Sequence, residues 1–195
     1  SEGVDASALE LVVDRRLAFG RLLAALGANE RAEKEHLDTA ELSLSQGWTE
    51  TACAALALAS HAAQARGDRA SSGRAWRKCR EAMEAWPMNR PGERCGTLVD
   101  AVGDPLVALQ VLSALAEVLV DGVEEDHSRA PIIREIISRA SEQASRCVSP
   151  PQGAVESLAR VEERIAPYGR GRGGRRRPGS TTTIRTEGRA ASEGE

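Results

Sequence analysis

Residues 56–87, LALASHAAQARGDRASSGRAWRKCREAMEAWP, constrain the fold more than any other stretch of the chain. They read as a helix, a bend at Gly67 and Asp68, and a second helix that stops at Pro87. In the second segment Ala75, Trp76, Cys79, Ala82, Met83 and Trp86 recur at three- and four-residue steps, which places them on one helical face. Arg74, Arg77, Lys78, Arg80 and Glu81 fall on the opposite, solvated side. Asp68, Ser71 and Ser72 each offer a side-chain oxygen to the first free backbone N–H groups of a helix. Gly67 suits the left-handed residue that ends many helices. Pro87 has no N–H to continue a helix and disfavours helical backbone at Trp86. The first segment carries Ala52, Ala55, Ala59, Ala62 and Ala63 on one side, so its neighbour is expected to lie close. Weaker copies of the bend occur at Gly27 and at Gly103 followed by Asp104.

Composition agrees with a helical interior. Only 3% of the 195 residues are aromatic, so alanine and leucine must fill the core, which suits close helix packing better than a β-sandwich. The length fits one domain or one short solenoid. A formal net charge of −3 conceals a division: seven arginines against three glutamates follow Pro167, leaving −7 on the body. Cys53, Cys79, Cys95 and Cys147 are widely spaced with no CxxC pair; reduced, buried thiols are the first reading, with a disulfide or zinc role as the alternative. No apolar run reaches bilayer length, and the amino terminus has no charged-then-apolar leader, so a cytoplasmic protein is expected.

In chain order, a first helix is expected to about Leu26, with Leu9, Val12, Val13, Arg16, Phe19, Leu22, Leu23 and Leu26 as its buried stripe. Asn29 is expected to cap a second helix, to about Ser45, with His36 half-buried among Ala32, Leu37, Ala40 and Leu44. Gly47 breaks it, and Thr49 is expected to cap a third helix over residues 50–66. Residues 88–96 read as a loop rich in Pro and Gly, followed by a short helix over 97–102. Asp104 caps the most apolar helix, 105–120, which is predicted to be central because it is apolar nearly all round. Two further helices follow, from Pro131 to about Cys147 and over 152–165. Two regions result: a helical domain over 1–166 and a disordered basic tail over 167–195.

At these residues the chain resembles a degenerate tetratricopeptide repeat over roughly residues 7–122. The likeness lies in Phe19-Gly20, Leu23, Gly27 and Ala32 in one hairpin, and in Gly67-Asp68, Ala75, Ala82 and Pro87 in the next. The run GDPLVALQVLSAL after Val102 looks like the second helix of a third. The turn glycines stand 40 and 36 residues apart, where the family's period is about 34, so an irregular helical bundle is the alternative. The resemblance implies stacked antiparallel hairpins, and no cofactor is expected from the sequence. It also implies a partner surface on the first helix of each hairpin, here Arg21, His61 and Gln64. The activity expected is that of a non-enzymatic scaffold for a protein partner or a multi-subunit complex.

The tail supports a second reading. Arg170, Arg172, Arg175, Arg176 and Arg177 crowd into GRGRGGRRRPG, an adaptable positive segment that attracts nucleic-acid phosphates without reading sequence. An RNA-associated protein is therefore the alternative function. Catalytic signals are weak. Residues 124–127 (EEDH) are consecutive in a loop, where neighbouring side chains diverge, so a metal site is not expected. Ser60 and His61 point in different directions on a helix and form no dyad. No phosphate loop, nucleophile elbow or HExxH motif is present.

Overall fold

The computed structural model describes residues 6–168. These residues are 82% helical, with no strand among them. The elements are α1 (Ala6–Ala25), α2 (Asn29–Ser45), α3 (Thr49–Ala65), α4 (Arg69–Glu84), α5 (Pro91–Val102), α6 (Pro105–Val120), α7 (Arg129–Arg146) and α8 (Gln152–Ile165), closed by a 3-10 turn at Ala166–Tyr168.

The first four helices form a row in which each packs antiparallel on the next. The bends at Gly27, Gly67 and Gly103 form where the sequence places them, each with positive φ, and Gly47 makes a fourth. At Gly67, φ is +83°, backbone that a side chain disfavours, and the next residue caps α4. Asp68 does so by accepting from the Ser71 N–H at 2.9 Å.

After α4 the row breaks. α5 leaves its predecessor and packs on α3, α6 and α7, while α6 carries α7 and α8 on its flanks. Two helices are consequently enclosed. α3 is buried on nearly every side, with Ala52, Cys53, Ala54, Ala55 and Ala59 fully inaccessible. Its alanines let α2, α4 and α5 approach together, as the small-residue stripe requires. α6 is buried likewise, with Leu109, Leu112 and Leu115 at its centre, as its all-round apolar sequence predicts. Asp104 caps it by accepting from the N–H groups of Leu106 and Val107.

Several expectations are corrected. On α1 the buried residues are Val13, Leu17, Gly20 and Leu23, whereas Val12, Arg16, Phe19, Leu22 and Leu26 of the expected stripe are exposed. Both faces of this helix are apolar, and periodicity alone does not say which one turns inward. Helix α5 begins at Pro91, not at residue 97, because proline needs no N–H at a first helical position. Cys95, Leu98 and Val102 then fall on its buried side. Asn29 and Thr49 are the first residues of their helices, with Ala28 and Trp48 in the cap positions, and α7 starts two residues before Pro131. His36 is fully buried rather than half-buried. Leu44 is exposed. Pro167 and Tyr168 belong to the ordered 3-10 turn, with the Tyr168 ring 4.7 Å from that of His127. The rest of the expected disordered tail, residues 169–195, lies outside the described residues.

Buried acids fasten the helices to each other. Glu33 on α2 accepts from the Arg66 guanidinium at 2.6 and 3.0 Å, and Glu50 on α3 pairs with Arg94 of α5. No helix is long and apolar enough to cross a membrane among the described residues.

Candidate docking surfaces and a basic cavity

Three features of the surface stand out. The first is the outer face of α1. Leu11 is 51% exposed, Phe19 42%, Leu22 55% and Leu26 73%, with Val12 beside them. Positions 11, 15, 19, 22 and 26 advance by four, four, three and four residues, so they form one ridge along the helix. Arg15 is the one charge in that ridge, and Leu44 of α2 is exposed as well. The inner face already holds α1 on α2.

The second feature is a cavity of about 390 Å³ lined by α1, α2, α3 and the α5–α6 turn. Arg21 and His61, expected on a partner surface, both line it, together with His36. Arg21 is half-buried and donates from Nη1 to the carbonyls of Ala101 at 2.7 Å and Asp100 at 3.4 Å, which closes the end of α5. His36 is 1% exposed, and its Nδ1 has no hydrogen-bond partner among the described residues. Its ring lies on the backbone of α1 at Gly20, where a Cβ would stand 2.8 Å from both ring nitrogens. Burial, and then the positive Arg21 and His61 nearby, lower its pKa to about 4.

The third is an open groove of about 790 Å³, floored by α6 and walled by α3, α4 and α8. Gln64 lines this groove, on a different side of α3 from His61. The structure thus unites Arg21 with His61 and separates Gln64 from both. Side chains in the groove are small or polar, with the half-buried Trp76 among them. Ser60 contacts Ser72 through their hydroxyls at 3.0 Å. At the far end Glu117 accepts from the Ser157 hydroxyl at 2.5 Å and pairs with Arg80 at 3.4 Å.

The remaining sequence candidates find structural partners or fall outside. Arg170, Arg172, Arg175, Arg176 and Arg177 lie beyond the described residues. Asp126 accepts from the N–H and hydroxyl of Ser128, and hydrogen bonding from Ser128 holds its carboxyl below the usual range. His127 stacks on Tyr168. No group of three or more His, Cys, Asp or Glu is placed to hold a metal ion among the described residues. Cys53 and Cys79 face each other across α3 and α4. Each thiol lies near the other's carbonyl, and their hydrogen bond, with burial, pushes the Cys53 thiol up. Burial pushes Cys95 up to about 12. Missed in the sequence were the place of His36 in a cavity wall and the outer ridge of α1. A polar residue in an otherwise apolar stripe was the available signal for the first, and an excess of apolar residues on α1 for the second.

Comparison with known proteins returns no matching family, no similar curated protein and no similar solved structure. The functional reading therefore rests on the geometry above.

Proposed function

We propose that the chain is a non-enzymatic helical scaffold, tetratricopeptide-like over its first two hairpins, that docks an amphipathic helix of a partner protein on the outer face of α1. The observation that carries this reading is the exposed ridge of Leu11, Phe19, Leu22 and Leu26. A contiguous apolar patch of that kind marks an interaction surface on soluble proteins. Its spacing selects the occupant. Side chains at three- and four-residue steps present ridges and grooves that another helix fills, whereas an extended strand has no matching period. Asp14 and Arg16 flank the ridge with opposite charges, which favours a partner helix carrying the complementary pair and fixes its direction. The repeat-like character is supported by the turns at Gly27 and Gly67 and by Ala32, Ala75 and Ala82 buried at the packing positions of their hairpins.

The test is a photo-reactive side chain placed at Leu22 in the full chain and irradiated in the native source, with the same label at the fully exposed Val148 as reference. The label at Leu22 should mark a peptide of another protein whose apolar residues recur at helical spacing, and the label at Val148 should not mark it. Marking of a second copy of this chain alone, or of a segment without helical periodicity, overturns the reading.

A further inference from the structure

The cavity between α1, α2, α3 and the α5–α6 turn gathers basic groups that stand far apart in the chain. Its volume of about 390 Å³ falls in the range of sites for small organic molecules. Leu58, Ala62, Val102 and Val107 supply apolar walls. Arg21 forms no ion pair among the described residues, and only its Nη1 is used, on carbonyls of α5. His36 lines the same space, almost wholly buried, with an imidazole nitrogen that nothing pairs. An unpaired buried polar group is destabilising, and this one stands beside a cationic guanidinium in the wall of a cavity. Asp104 is the acid at the rim. Its Oδ1 accepts from the Leu106 N–H at 2.9 Å and the Val107 N–H at 3.0 Å, which ties its charge to the start of α6.

We propose that this cavity binds a small organic carboxylate with an apolar body. Arg21 and His61 hold the carboxylate, His36 lies in the wall beside them, and the body lies against Leu58 and Val107. The guanidinium suits the planar carboxylate because its parallel N–H groups match both oxygens. The apolar walls reject a bare inorganic anion, which would lose hydration there without gaining contacts. Being neutral near pH 7, His36 adds no charge to the wall of the cavity. The site is separate from the outer face of α1, so it stands or falls independently of the docking reading.

The experiment follows the histidine ring signals of the full chain by NMR during titration with hexanoate, and in parallel with inorganic phosphate and hexylamine. The chain has three histidines, and His127, packed on Tyr168, serves as internal reference. The signals of His36 and His61 should shift saturably with hexanoate while His127 stays in place, and phosphate and hexylamine should move none of them. Arg21→Met should weaken hexanoate binding about tenfold or more, the loss expected for one charge-assisted contact, with the helical circular dichroism retained. If Arg21→Met does not fold, His61→Ala at an exposed position is the deciding variant, and it should weaken binding several-fold. Unsaturable shifts, equal shifts of all three histidines, phosphate acting as strongly as hexanoate, or a folded variant that binds hexanoate unchanged would each overturn the assignment.

Discussion

His36 shows how one buried side chain governs its surroundings. Its ring rests on Gly20 of α1, and the two positions are coupled by contact. Alanine is a better helix former than glycine by about 1 kcal/mol, so propensity alone would make Gly20→Ala stabilising. Here the added methyl meets the His36 ring, which must leave its buried place to admit it, and we expect a net loss of about 1–3 kcal/mol in urea unfolding. The loss should largely vanish when His36→Ala is combined with it, since contacting pairs are non-additive. Protonation provides a separate prediction. The folded-state pKa of about 4 lies below the unfolded value of 6.5, so the unfolded chain takes up the proton first as pH falls. Stability is therefore full above the unfolded value and lost between there and about 4. The loss from about pH 7 to about pH 5 should be roughly 2 kcal/mol, and His36→Leu should abolish it. Arg21 and His61 add to this depression by repelling the charged ring. The depressed carboxyls of Asp68 and Asp126 act below that window.

Among the elements, those whose borders were legible carried their own stop and start signals. Asp104 before Pro105 fixed the start of α6, and the Pro150-Pro151 pair fixed that of α8, whose observed span Gln152–Ile165 is the one expected. Gly67 with Asp68 fixed the α3–α4 bend. Helix α5 was misread because Pro91 and Gly92 resemble loop residues when counted by composition, although proline in a first turn begins a helix equally well. The outer face of α1 was misread for a different reason. Leu9, Val12, Val13, Leu17, Phe19, Leu22, Leu23 and Leu26 cover most of the circumference, and the helix meets its neighbour on only part of it. The choice of Val13, Leu17 and Leu23 as the inner set depends on Gly20 admitting His36 from α2, a contact between residues sixteen apart in sequence. The meeting of Arg21 and His61 in one cavity was legible only in part. Both were marked as surface residues of first helices, but their meeting in one cavity with His36 depends on how α5 closes over α3.

Taken whole, the molecule is a row of helices at one end and a cluster around α6 at the other, joined through α3. α1 closes the row, so one of its sides has no neighbour among the described residues, and that side is the more apolar surface of the fold. On α1, Leu17 builds the structure and Leu22 is left for a visitor. Urea unfolding of Leu17→Ala and Leu22→Ala, side by side in the full chain, tests that division directly. Leu17→Ala should lose about 2–5 kcal/mol, as truncation of a packed leucine does, and Leu22→Ala no more than about 0.5 kcal/mol. Equal losses at the two positions would mean that the outer face is part of the folded core, and the division between scaffold and docking surface would be wrong.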